Sequence, residues 1–570
     1  MNENQRKYDF MKQRSKDHMD NYALSFGNKK ITYREMHNNI EKYSNALYQR
    51  GIREGDVIGL CCLNTPESVY LLYALDNIGA TVVGFNFLDT KDKVKKDIEL
   101  THPKMIITVD AFYNNFKDFE KSMNFDILLY SPVKSMNKIV KLVYNSKQLA
   151  KKNFTFNKNK YLSSIFKNNI KDKEYKKAEF HKGEVTDIIF TGGSTGMHKG
   201  VELSGEGLNH VITSMDPLFE IDPGMVHLGN VPFGPMVYGR MILHYALCNN
   251  MEYALTLKAM PEDFYSELVR THADAAVGGP PHWVSLIEKV KDEFKPSSKL
   301  VKDSLPNLKY ATSGGEAKKE TTDKAIEEAL RFCGSKANLG DGLGATEAWS
   351  AIMINNGTNT PGSLGKKLDC LDVKLVDPET GKEVEKGKPG LLYISGPSVM
   401  IGYHNNEEEN KKVFKIDENG KKWVGTGDLI QELDNGDYKY IGRKKRIFVS
   451  GVDNIYPEQL EELLSEFPEV RESVVTPISD EIRQYIPRYH ISLYDSNIDY
   501  DSFEKKLNKT VERKLGKNWL PGFLDYTDEP LERMNNSKIN IQYYMNKDKY
   551  DAEHDLLVAN NKDMNKIKEK

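Results

Sequence analysis

From residue 191 to residue 200 the chain reads TGGSTGMHKG, a loop of four glycines, three hydroxyls and one lysine. Gly192, Gly193, Gly196 and Gly200 carry no Cβ, so their backbone can close on a ligand. The hydroxyls of Thr191, Ser194 and Thr195 are donors for phosphate oxygens, and Lys199 adds a point charge. The chemistry is that of a phosphate grip. Two common phosphate-binding signatures do not fit it: a P-loop needs Ser or Thr directly after the lysine, where Gly200 stands, and no GxGxxG fingerprint occurs at this strand. A merely flexible turn accounts for the glycines but not for three hydroxyls and a lysine.

The elements around the loop must hold it still. Residues 185–190 form a short apolar strand running straight into it, and ligands of α/β sheets bind at such strand-to-loop junctions. Upstream, DVIGLCCL and ATVVGF read as strands and SVYLLYALDNIG as a helix, the alternation of α/β layers around a mostly parallel sheet. Residues 147–177, rich in Lys and Asn, interrupt this rhythm and read as a solvated insertion rather than a basic surface patch. Asp372–Val376 and residues 390–395 read as short strands of a small β-rich layer. After the charged stretch 443–446, Pro457 opens an amphipathic helix carrying Leu460, Leu463, Leu464 and Phe467. The expected organisation is an N-terminal part over 1–444, a C-terminal part over 445–545 and a polar tail over 546–570.

Composition agrees with several packed domains. A chain of 570 residues exceeds one hydrophobic core, and 39% hydrophobic with 29% charged residues is ordinary globular composition. Basic and acidic residues nearly balance, 80 against 83, so electrostatics gives no reason to expect nucleic acid as partner. The five cysteines show neither an even disulfide framework nor a CxxC spacing and read as buried thiols of a reducing compartment. Neither a signal peptide nor a membrane-length apolar stretch is visible, and a soluble cytoplasmic protein is expected.

Together with later motifs, the loop resembles that of the adenylate-forming (AMP-binding) superfamily of acyl-CoA synthetases, adenylation domains and firefly-type luciferases, over most of the chain. Ser194, Thr195 and Lys199 match the family loop, while Gly192 replaces a hydroxyl residue and His198 a proline. GDGLGATEA matches at Gly344, Thr346 and Glu347, with Leu343 where an aromatic packs near the adenine; Glu347 is then the candidate magnesium ligand. ATSGGEA places Gly314, Gly315, Glu316 and Ala317 along the adenine and acyl pocket. WVGTGDL supplies Asp428 as the ribose contact and YIGRKKR supplies Arg443 as a second nucleotide contact. Lys445 matches the hinge, and Arg446 reverses the charge of the Asp common after it. ERMNNSK keeps Arg533 and Lys538, with Met534 and Ser537 where Thr and Gly belong, and Lys538 is the candidate catalytic lysine.

The resemblance implies an α/β fold: a large N-terminal domain of two α/β-layered subdomains plus a small β-barrel-like subdomain, then a small mobile α+β C-terminal domain. It implies ATP, Mg2+ and coenzyme A as reaction partners, with a carboxylic acid converted to an acyl-adenylate and then to a thioester. NVPFGPMVYG puts Phe233 and Gly234 at the substrate-gating position. With no carboxylate there to pair a substrate ammonium, an α-amino acid is disfavoured. Phe233, Gly234, Gly239 and Trp283 are the candidate pocket residues, for a fatty, aryl or polycyclic acid. Two alternatives stand beside this reading: transfer to a carrier-protein phosphopantetheine, although only a short polar tail follows Lys538, and a degenerate, non-catalytic nucleotide-binding homologue.

Overall fold

The computed structural model describes residues 2–132, 157, 160–163, 175–191, 199–292, 301–315, 320–451, 453–480, 482–534 and 539–545. Among these residues four sheets carry the chain. A nine-stranded sheet runs in the order Lys366–Lys367, Ser350–Asn355, Leu339–Ala345, Tyr310–Ser313, Ala275–Gly278, Val226–Gly229, Glu252–Leu255, Tyr22–Phe26, Lys29–Thr32. Its inner strands are parallel and both edges are antiparallel. A seven-stranded sheet runs Gly402–Tyr403, Lys199–Ser204, Val185–Thr191, Thr81–Gly84, Val57–Cys61, Met105–Val109, Asp126–Tyr130.

The helix Pro66–Ile78 shows why the layers stack. Thr65 caps it by accepting from Ser68 N, Pro66 opens it, and Gly79 at φ 86° ends it. Every residue between is buried, as a helix apolar around its circumference must be. The helix Val237–Cys248 is buried almost as completely and joins the same core, so the main core runs continuously through residues of both sheets.

A small sheet holds Asp372–Val376, Pro389–Ser395, Lys422–Glu432, Phe414–Ile416 and Tyr438–Arg443, all antiparallel. The last sheet, with Gln484–Leu493 at its centre and Val470–Asp480 at one edge, is covered by the helices Pro457–Leu464 and Tyr500–Lys514 and has a core of its own around Leu460, Tyr489 and Leu507. The α/β architecture, the small β layer and the Pro457 helix stand as the sequence predicts, except that the helix ends at Leu464 and Phe467 lies beyond it in the same core. Cys61, Cys62, Cys248 and Cys333 are buried and in no disulfide, whereas Cys370 is only partly buried. No helix among the described residues is long and apolar enough to cross a membrane. The 147–177 insertion, apart from residues 157, 160–163 and 175–177, and the 546–570 tail lie outside the described residues.

Candidate active site

The expected phosphate loop lies between two strands that pair antiparallel. Thr191 and Lys199 stand opposite each other where Val185–Thr191 pairs antiparallel with Lys199–Ser204. The sequence signals the entering strand but not this antiparallel return. Gly193, Ser194, Thr195 and Gly196 lie outside the described residues. Gly200 is needed for close packing: a Cβ there would lie 2.9 Å from Ile188 Cγ2. Its carbonyl accepts from His404 N at 2.7 Å, which seats Gly402–Tyr403 beside the return strand.

That seating determines what Lys199 meets. Its ammonium pairs with Glu409 of the helix Glu407–Val413 and lies 4.7 Å from the centre of the Tyr403 ring. Lys199 and then Lys412 hold the Glu409 carboxyl below the usual range. The Tyr403 hydroxyl in turn donates to Glu347 Oε1 at 2.9 Å.

Glu347 follows the strand Leu339–Ala345 on a one-turn helix, Thr346–Ala348. The chain doubles back tightly here. A Cβ on Gly344 would lie 1.9 Å from Ser350 O, and Trp349 and Ser350 sit in the left-handed region at φ 51° and 80°. Trp349 anchors the turn, its indole N–H donating to Ser204 O at 2.7 Å at the end of the phosphate-loop return strand. Thr346 is half-buried beside Glu347, and Leu343 packs against the main core. Gly315 is exposed at φ 90°, a backbone geometry that favours glycine, while Glu316 and Ala317 lie outside the described residues.

Asp428 and Arg443 are cross-strand partners in the small sheet. Arg443 Nε lies 2.8 Å from Asp428 Oδ1, yet Oδ1 accepts no hydrogen bond among the described residues. Asp428 is 1% exposed. Burial pushes its carboxyl up, Arg443 opposes that, and the charge of Glu347 adds to the rise. Lys199, Glu347, Asp428 and Arg443, called from four separate motifs, are thus linked through Tyr403 and through their mutual fields into one charged cluster. Lys538 lies outside the described residues.

The family model described as AMP-binding enzyme matches residues 11–404. The chain belongs to this family. It is 26% identical to a long-chain-fatty-acid–CoA ligase of Bacillus subtilis (strain 168), over 81% of each chain. It is also 26% identical to a 4-coumarate–CoA ligase of Humulus lupulus, over 84% of this chain and 83% of that one. Its fold is similar to that of an anthranilate CoA ligase solved with anthranoyl-AMP, with a TM-score of 0.78 at 19% identity, covering 95% of this chain and 97% of the other.

Within this AMP-binding enzyme, metal chemistry has a narrow footing. No three His, Cys, Asp or Glu side chains gather as a metal site among the described residues. A Mg2+ ion that arrives on nucleotide phosphates needs only one or two carboxylates. Glu347 fits that need, since Tyr403 occupies only its Oε1.

The departure at Arg446 has a structural reason. Lys445 is exposed on the turn Lys444–Arg446. Arg446 faces the other way: it donates to Glu458 Oε1 at 3.1 Å, to Glu461 Oε1 at 2.5 Å and to Val475 O at 3.2 Å. Glu458 also accepts from Arg443 N at 3.3 Å. The reversed charge at 446 is answered by two glutamates of the Pro457–Leu464 helix.

The expected substrate-pocket residues are buried in the structure. Phe233 and Trp283 are both 0% exposed and leave no face on an open cavity. Trp283 packs edge-on against Phe264 at 4.9 Å and donates to Thr312 O at 3.0 Å, inside a separate core cluster. Gly234 and Gly239 are small because their neighbours crowd them: a Cβ would meet the Cys62 side chain, Sγ at 2.8 Å, and the Pro232 backbone, O at 2.4 Å, respectively. An apolar side chain near a ligand motif has the same composition whether it lines a pocket or fills a core, which is why the sequence did not separate them. Tyr403 and Glu409 went unread for another reason, as neither carries a local signal and only the strand register brings them to Glu347 and Lys199.

Proposed function

We propose that this enzyme activates a carboxylic acid with ATP and transfers the acyl group to coenzyme A. The observation that carries the reading is the convergence of Lys199, Glu347, Asp428 and Arg443, a set of charges suited to phosphate, magnesium and ribose. In the first step a carboxylate oxygen of the acid attacks the α-phosphorus, and the bond to the leaving pyrophosphate breaks. Lys199 and the hydroxyls of Thr191, Ser194 and Thr195 hold the phosphates, and Glu347 with Thr346 orients the magnesium that accompanies them. Asp428 accepts from the ribose hydroxyls once Arg443 swings aside. Lys538 stabilises the charge that develops as pyrophosphate departs. In the second step the coenzyme A sulfur attacks the acyl carbonyl carbon, AMP leaves, and the thiol proton is released.

The relatives support a fatty or aryl acid as the substrate class, and the lack of any Asp or Glu in residues 230–239 supports exclusion of an α-amino acid. Residues 445–545 act in this reading as the mobile unit, turning about Lys445 between the two half-reactions. A substitution separates those halves. Lys538→Ala should reduce adenylation by about two to three decades, the cost of removing one such donor, while thioester formation from a supplied acyl-adenylate is spared. Unchanged adenylation in Lys538→Ala would refute the assignment.

A further inference from the structure

Asp187 lies four residues before Thr191 on the strand that enters the phosphate loop, and it is fully buried. Two cations close on its carboxylate: Lys7 of the helix Lys7–Arg14 and Arg240 of the helix Val237–Cys248. Thr186 Oγ1 donates to it as well, at 2.6 Å. Burial would raise this carboxyl, but Lys7 and Arg240 outweigh it and hold it below the usual range. A second buried carboxylate, Asp76, lies 3.9 Å from Lys7 and accepts from Tyr8 N at 2.9 Å. Burying charge in this way returns little net stability against an apolar set of the same volume. The arrangement therefore asks for a positional explanation.

The other donors of Arg240 supply one. Nε donates to Phe233 O at 3.0 Å and Nη2 to Gly234 O at 2.7 Å. These are the carbonyls of the loop that carries the substrate-gating motif. The seat beneath them is tight, since a Cβ on Gly84 would lie 2.4 Å from Gly234 O, and Cys62 Sγ packs directly against Gly234. A planar guanidinium serves a carboxylate and two carbonyls at once, which a lysine ammonium does not.

We infer that Arg240 is a positioning residue: anchored by Asp187 on the phosphate-loop strand, it fixes the Phe233 and Gly234 carbonyls and so sets the substrate loop in register with the phosphate loop. The inference rests on the proposed acid activation. One side chain then bridges the two halves of the site, and its loss acts on the acid rather than on the nucleotide. Lys7, on the far side of Asp187, touches neither carbonyl.

The test uses full-length wild type, Arg240→Lys and Lys7→Met. Acid-dependent pyrophosphate exchange is measured with acid and ATP varied in turn. Misplacement on an ångström scale costs up to about a hundredfold, so Arg240→Lys should raise the KM for acid roughly ten- to a hundredfold and leave that for ATP within about twofold. Lys7→Met should lower the thermal midpoint and leave the acid KM in place. Where Arg240→Lys does not fold, Asp187→Asn, which keeps both carbonyl bonds but frees the guanidinium from the strand, should show the same selective rise. An unchanged acid KM in the folded variant overturns the inference, as does an equal rise in Lys7→Met. Labelling of Cys62 by a thiol reagent, followed by peptide mass, reads the same clamp without activity. Faster labelling in the Arg240→Lys or Asp187→Asn variant supports it and an unchanged rate refutes it, even if a wild type silent with every acid has sunk the activity reading.

Discussion

Replacing Asp428 by Asn should separate nucleotide affinity from stability. The carboxylate is 1% exposed, and its Oδ1 lies 2.8 Å from Arg443 Nε without accepting a hydrogen bond among the described residues. Asn keeps the shape and one acceptor oxygen but turns the other into a donor, so one of the two charge-assisted bonds proposed to ribose would be lost. Such a bond is worth about 1.5–3 kcal/mol, which corresponds to roughly a 10- to 150-fold loss of ATP affinity. The fold should not suffer. Burial already disfavours the ionised carboxyl, and Arg443, with half its side chain exposed, returns to water at little cost. Titration calorimetry with ATP and a thermal melt on the same sample measure the two effects. Weakened ATP binding with an unchanged or higher thermal midpoint supports the reasoning. ATP affinity within about twofold of wild type would refute it, and so would affinity lost only in step with the fold.

Two further outcomes follow from the C-terminal part. Arg446→Ala leaves Glu458 and Glu461 facing each other without their cation, and since all three side chains are mostly buried, the cost should be on the order of 3 kcal/mol, read as a lower urea midpoint; an unchanged midpoint would show the network to be incidental. Asp525 would be raised by burial, but hydrogen bonds from His490 and Arg488 hold it down to about 2, against an ordinary 3.8. A carboxyl depressed on folding stabilises above its unfolded value, so this contribution should fade as pH falls from about 4 through about 2. Acid titration of wild type against Asp525→Asn, which lacks that slope, checks it; parallel curves would contradict the reading.

Much of the fold was legible because its signals are local. Pro457 at a helix start and the apolar run before Thr191 each act within a few residues, and the structure realises both. The hairpin return, Lys199–Ser204, was not legible, since VELS is too short to declare its pairing. Contacts made across the chain were hidden altogether: Arg240 meets Asp187 at a separation of 53 residues and Lys199 meets Glu409 at 210. No local pattern encodes such a meeting. The Arg446 departure is instructive in the same way, because its meaning lies in Glu461, 15 residues on. Trp283 shows the converse, a residue whose bulk and apolarity drew it toward a pocket although its indole closes a core.

A cluster around Lys199, Glu347, Asp428 and Arg443 that couples ATP to a carboxylic acid should exchange labelled pyrophosphate into ATP only when the acid is present. Run across a panel of fatty, aryl, polycyclic and α-amino acids, exchange should depend on a fatty, aryl or polycyclic acid and on Mg2+, with α-amino acids inert; silence across the whole panel would rule the coupling out.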